Sequence, residues 1–188
     1  MLPSLPMASL GHVAVGLAAG RRFAGALGPR VRPWPLMLAL AALSLLPDLD
    51  VVAFRLGIPY GAPFGHRGAS HSLAAALLVG LLAAACARPL GLRPVATFVL
   101  AAAVTASHPL LDALTDGGLG VALLFPFSNQ RYFAPWRPLP VAPIGGRILG
   151  PWGLRVMATE LLYFLPLLVY ASWRRGQPQN QAGTQVDW

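Results

Sequence analysis

The 188-residue sequence contains no lysine, six acidic residues and a single cysteine, and only 11% of it is charged. A soluble domain averages roughly 25% charged residues. Here 56% of the chain is hydrophobic and the mean hydropathy is +0.61. These shortages exclude a disordered chain and argue against an ordinary soluble globular domain; they suit a bilayer. The lone Cys86 rules out an intrachain disulfide and a cysteine-based zinc knuckle, and it leaves the redox compartment open. A glycine-rich phosphate loop, G-x-S-x-G and H-E-x-x-H are also missing.

All fourteen basic residues are arginine, giving a net charge of +8 and a pI near 11.3. Such a pI is compatible with nucleic-acid binding. The arginines, however, lie scattered among apolar runs and form no basic stripe, so no nucleic-acid partner is expected. In a membrane protein they mark loops and helix ends.

The apolar runs organise the chain as one membrane-embedded helical domain over residues 1–175, followed by a flexible polar tail at 176–188. Leu5 to Gly20 could be a signal peptide, but arginines follow it and none precedes it, which favours a retained first helix. A second segment runs from Trp34 to about Leu46 and closes on Pro47-Asp48-Leu49-Asp50. Ser70 to Ala87, Pro94 to about Leu114 and Gly153 to Trp173 are the third, fourth and fifth. Each crossing needs about 20 residues. The last three segments meet that length, and the first two are shorter. Residues 115–152 form a long Pro/Gly/aromatic connection, read as an ordered loop over the site. The fold class is therefore all-α, an integral membrane bundle of four to five transmembrane helices.

If five segments cross, alternation brings His12, Asp48, Asp50, His66, His71, His108 and Asp112 to one membrane face. Seven of the ten acids and histidines converge there. Eight arginines fall on the opposite side and six on this one, four of those in or at the edge of the long connection. Long loops weigh less in such a balance, so the site is expected on the extracytoplasmic face.

The spacings suggest what these residues do. His108 and Asp112 share a helical face at i and i+4 and can hold one metal, although Pro109 suggests a local break. In His66-Arg67-Gly68-Ala69-Ser70-His71-Ser72, Ser70 is placed to cap the third helix, and Gly68 permits a sharp turn. Arg67 is a planar cation suited to a phosphate or carboxylate. Asp48 and Asp50, at i and i+2, diverge on a helix and share a face only in extended backbone. One can be a ligand and the other a bridge, an orienting group or a general base, with Asp50 the weaker ligand. Glu160 is an intramembrane carboxylate, paired with Arg155, paired with the site, or protonated. Asp116 reads as a turn aspartate. Four histidines and up to three aspartates without thiolate suit Zn²⁺, Mn²⁺ or Fe²⁺, as one ion or two. Each of these motifs also has a plainer reading, as interfacial hydrogen bonds or a headgroup-facing loop.

His12 in an apolar helix, Pro47–Asp50, His66–Ser72, Ser107–Asp112 and Phe125–Ser128, in this order, resemble a bacterial membrane-bound metal-dependent hydrolase family with LexA-regulated inner-membrane members. The resemblance covers about residues 8–135. It implies an inner-membrane, multi-pass hydrolase distantly similar to zinc-dependent phospholipase C and related single-strand nucleases. It also implies metal ligands at His12, Asp48, His66, His71, His108 and Asp112. Those soluble relatives use an H-x3-E motif that this chain lacks; His66 and His71 are five apart. The expected chemistry is hydrolysis of a lipid, ester or phosphorylated small-molecule substrate by metal-activated water, zinc first. Asp50, Arg67 and Ser70 are the catalytic candidates, and the bilayer is the one macroscopic partner. The alternative is a non-enzymatic metal-binding or transport protein. Substrate, metal identity and oligomeric state do not follow from the sequence.

Overall fold

The computed structural model describes residues 10–143 and 149–173. It is an all-α membrane bundle of five helices, with no regular strand among the described residues. The helices are α1 (Leu10–Leu27), α2 (Pro33–Ser44), α3 (Leu73–Ala85), α4 (Pro94–Ala113) and α5 (Pro151–Ser172). A 3₁₀ segment, Leu46–Leu56, extends α2, and a short 3₁₀ turn, Ala69–His71, precedes α3. Proline opens α2, α4 and α5, where its missing N–H costs nothing. The segment after α2 stops at Gly57, whose φ of 74° is a left-handed cap. The polar tail expected at 176–188 lies outside the described residues.

α1 is the organiser: it packs against α2, α4 and α5, while α3 packs on α4. Glycine makes the α1–α2 approach possible. A Cβ at Gly16 would stand 2.5 Å from the Ala41 Cα, and one at Gly20 would stand 2.5 Å from the Met37 Cα. Small residues four apart let backbones meet this way where lipid supplies no hydrophobic drive. At the far end of α1, Arg21 donates to the carbonyls of Ala171 and Trp173, satisfying α5's terminal acceptors.

Three of the expected boundaries shift. The second segment, expected to be short, becomes with its 3₁₀ extension a 24-residue apolar stretch (Pro33–Leu56). With α4 and α5 it makes three segments, among the described residues, long and apolar enough to cross a membrane. The third, expected to qualify, is 13 residues, about 20 Å. Its start is displaced because Ser70 is not the cap: Ser72 accepts from the Ala75 N–H, while Ser70 is drawn to Asp50. Finally, α4 runs unbroken through Pro109. The proline leaves the Thr105 carbonyl without its i+4 donor, but the helix continues, and His108 and Asp112 keep one face.

The long connection is held over one end of the bundle by main-chain bonds. Leu73 N donates to Leu123 O, Ala122 N to Arg67 O and Ala134 N to Ala113 O. Asp116 accepts from Val141 N, in keeping with its expected turn role.

Candidate metal centre

Four separate segments bring the candidate donors together. α1 contributes His12 from its first turn, the 3₁₀ extension contributes Asp48 and Asp50, the loop before α3 contributes His66 to His71, and α4 contributes His108 and Asp112. His71 and His108 are fully buried; His12 and Asp112 are nearly so. Such groups are seldom buried in a bundle unless they pair or ligate.

Asp48, His71, His108 and Asp112 each offer one atom to a common point. Asp48 Oδ1 lies 3.5 Å from His71 Nε2 and 3.3 Å from His108 Nε2, while Asp112 Oδ2 lies 3.4 Å and 3.7 Å from the same two nitrogens. Donors at about 2.0–2.1 Å from a tetrahedral ion stand about 3.3–3.4 Å apart, so the residues fit such an ion. His71 Nε2, His108 Nε2 and Asp112 Oδ2 are also buried with no hydrogen-bond partner. Buried polar atoms are rarely left so.

The other nitrogen of each imidazole is spoken for. His108 Nδ1 lies 2.7 Å from the Ser44 carbonyl and His71 Nδ1 lies 3.0 Å from Asp50 Oδ2. The Ser70 hydroxyl also lies 3.0 Å from His71 Nδ1, but it donates to Asp50 Oδ2; with Nδ1 donating to an acceptor in both rings, Nε2 is the nitrogen left for a metal. This is how a second layer of contacts orients metal-binding histidines. His12 stacks on His108 at 3.8 Å and brings Nε2 to 3.6 Å from Asp112 Oδ1, beside the four rather than among them.

Asp50 does not join the four-residue cluster. Its Oδ1 lies 2.7 Å from His66 Nδ1. Its Oδ2 accepts from Arg67 N (3.2 Å) and from the Ser70 hydroxyl (2.6 Å). Asp50 therefore ties together the loop that carries His71, and His66, expected among the ligands, stands with Asp50 instead. Asp50, His66 and His71 form a second possible cation group, but there both Asp50 oxygens already accept. In the 3₁₀ segment, Asp48 and Asp50 meet at one imidazole, Asp48 beside His71 Nε2 and Asp50 beside His71 Nδ1, although i and i+2 were expected to diverge on a helix.

Electrostatically the carboxylates outnumber the fixed cations: Asp48, Asp50 and Asp112 face one guanidinium, that of Arg67, whose Nε lies 3.1 Å from Asp112 Oδ2. His71, in the loop outside the spans, shows the field. Burial alone would push its imidazole down, yet Asp112, Asp48 and Asp50 hold it well above the ordinary 6.5.

The arginines hold structure as well as charge. Arg67 sits at a left-handed φ of 61°, and its Nη1 donates to Thr115 Oγ1 (3.0 Å) and the Gly117 carbonyl (3.1 Å). Arg131, in the long connection, donates to the carbonyls of His66, Gly120, Tyr60 and Ala62, clamping the 60–66 loop. A cavity of about 50 Å³ opens beside the cluster, lined by His12, Asp48, His66, Arg67, Asp112 and Glu160 among others. Glu160 accepts from the Leu10 N–H at 2.7 Å, at the start of α1. Glu160 thus shares the cavity with the site residues, and among the described residues no ion pair joins it to Arg155.

Sequence reasoning missed Ser44. It is fully buried, it donates to the His12 carbonyl (2.9 Å), and its own carbonyl fixes His108. The available signal was its standing as the one polar residue in the run from Trp34 to Leu46. Thr115 left no comparable mark.

A family model described as YdjM inner membrane protein matches residues 7–177. The inner membrane protein YbcI of Escherichia coli (strain K12) is 41% identical over 172 residues, covering 87% of this chain and 96% of that protein. No solved structure matches.

Proposed function

The chain belongs to the YdjM inner membrane protein family, and from that premise we propose that it is a membrane-embedded hydrolase using one divalent cation, zinc first, on a lipid, ester or phosphoester at the membrane surface. One observation carries the reading: four buried donors close to tetrahedral spacing, three of them with no hydrogen-bond partner. Asp48, His71, His108 and Asp112 hold the ion, with His12 poised against Asp112. The ion supplies the Lewis acidity that makes water nucleophilic near neutral pH. Arg67 holds Asp112 in place and lines the cavity as its cation. His66, its Nδ1 held against Asp50 Oδ1, lines the cavity and is the group assigned to move a proton. Asp50 and Ser70, candidates for catalysis from sequence, are positioning residues in this reading. The excess of arginines at the other end favours the extracytoplasmic face for the site.

Phosphoesters are the first substrates to try, because the sequence motifs resemble those of a hydrolase family for which a distant relation to zinc-dependent phospholipase C is implied. Transport would need donors continuing through the bundle. Glu160, the remaining acid in a described span, instead serves the same end, at the start of α1. The test is elemental analysis of purified full-length protein, joined to a phospholipid and phosphoester hydrolysis screen with and without chelator. The expected result is about one ion per chain and hydrolysis abolished by chelator. A chain free of tightly bound metal sinks the metal centre, and chelator-insensitive hydrolysis sinks the mechanism.

A further inference from the structure

At the opposite end of the bundle, away from the metal centre, an apolar groove of about 550 Å³ runs between the end of α1 and the start of α4. Phe23 and Leu27 form one wall, and Val95, Val99 and Ala103 form the other, with Arg93 in the lining. Leu27 also lines a neighbouring groove of about 440 Å³ that carries Arg30 and Arg32. The three arginines are exposed, and none forms an ion pair among the described residues. The described acids all lie at the other end: Asp48, Asp50 and Asp112 in the cluster, Asp116 on Val141 and Glu160 on Leu10.

We propose that this groove binds an anionic phospholipid, its phosphate held by Arg93, Arg30 and Arg32 and an acyl chain laid along α4. The dimensions agree. From Arg93 to Ala103 is ten residues, about 15 Å of helix, half the roughly 30 Å hydrocarbon core. Basic pockets between membrane helices recognise anionic headgroups in this way. Charge complementarity selects the occupant: an apolar face of a second copy would bring the same unpaired arginines against themselves. The site is separate from the metal centre and does not depend on hydrolysis.

The experiment is native mass spectrometry of the full chain in mild detergent, offered equal amounts of phosphatidylglycerol and phosphatidylcholine with identical acyl chains. The expected result is selective retention of phosphatidylglycerol by about tenfold or more. Each arginine removed in R30Q, R32Q and R93Q should cost about fivefold, the equivalent of about 1 kcal/mol per basic residue. Val99→Trp, which leaves the arginines intact and fills the groove, should displace the lipid as well. Equal retention of both lipids by the unaltered chain overturns the proposal. So does unchanged selectivity in the arginine variants or undiminished binding in V99W. A two-chain complex that V99W abolishes and phosphatidylglycerol does not affect would give the groove to a second copy, and overturn it too.

Discussion

Where α1 begins and α4 finishes, charged groups face inward and touch one another; where α1 finishes and α4 begins, they face outward and touch no acid. The inward set is three aspartates, Arg67 and a ring of histidines, several almost wholly buried. Burying charge costs several kcal/mol per ion unless partners compensate, so each inward group depends on the rest. The outward arginines keep their water, and an exposed charge contributes little to stability by itself. One end is therefore a single interdependent unit, and the other is a set of separable residues.

The sharpest way to break that contrast is Asp112→Ala. It strands Arg67 and removes a donor, so we expect a loss of about 3–5 kcal/mol together with loss of bound metal, read by thermal melting and elemental analysis. Asp50→Ala should weaken metal binding about 10–100-fold without removing a donor. A metal titration would show this, and unchanged affinity would place Asp50 outside the centre's support. Acidity provides a subtler probe. In chelator-stripped protein, protonated His71 stabilises the fold below its ordinary 6.5, and that contribution is lost as pH rises through its raised folded value. Metal binding runs the opposite way, since donors must lose protons. Melting curves taken with and without chelator should therefore diverge toward alkaline pH; parallel curves would contradict the arrangement. Arg88→Gln, exposed and unpaired at the outward end, should shift stability by no more than about 0.5 kcal/mol. A larger loss would show that the outward end is not separable.

Much of this contrast was legible in the sequence, because membrane alternation is a strong constraint: apolar runs separated by short turns fix which residues share a face. The bounds of α4 and α5 and the gathering of His12, Asp48, His71, His108 and Asp112 follow from it. What escaped depends on contacts between segments distant in sequence. Ser70 reads as a cap from its neighbours alone, and only Asp50, twenty residues earlier, draws its hydroxyl away. Nothing near Arg131 in sequence points to the four carbonyls, from residues 60–66 and Gly120, that hold it. His66, a ligand by resemblance, falls in the second candidate group with Asp50 and His71 rather than in the four-residue cluster, a division set by contacts across sixteen residues that its neighbours in sequence do not show. Pro109 suggested a break because local rules weigh the missing N–H, whereas packing of α4 against α1, α2 and α3 keeps the helix whole.

The donors of the four-residue cluster stretch from Asp48 to Asp112, and this orders events during synthesis. A nascent chain that has inserted α1, α2 and α3 holds only half of them, Asp48 and His71. The set closes when the end of α4 arrives, before any of α5 is needed. An ion bound as proposed would therefore have its full donor set only once the end of α4 is in place.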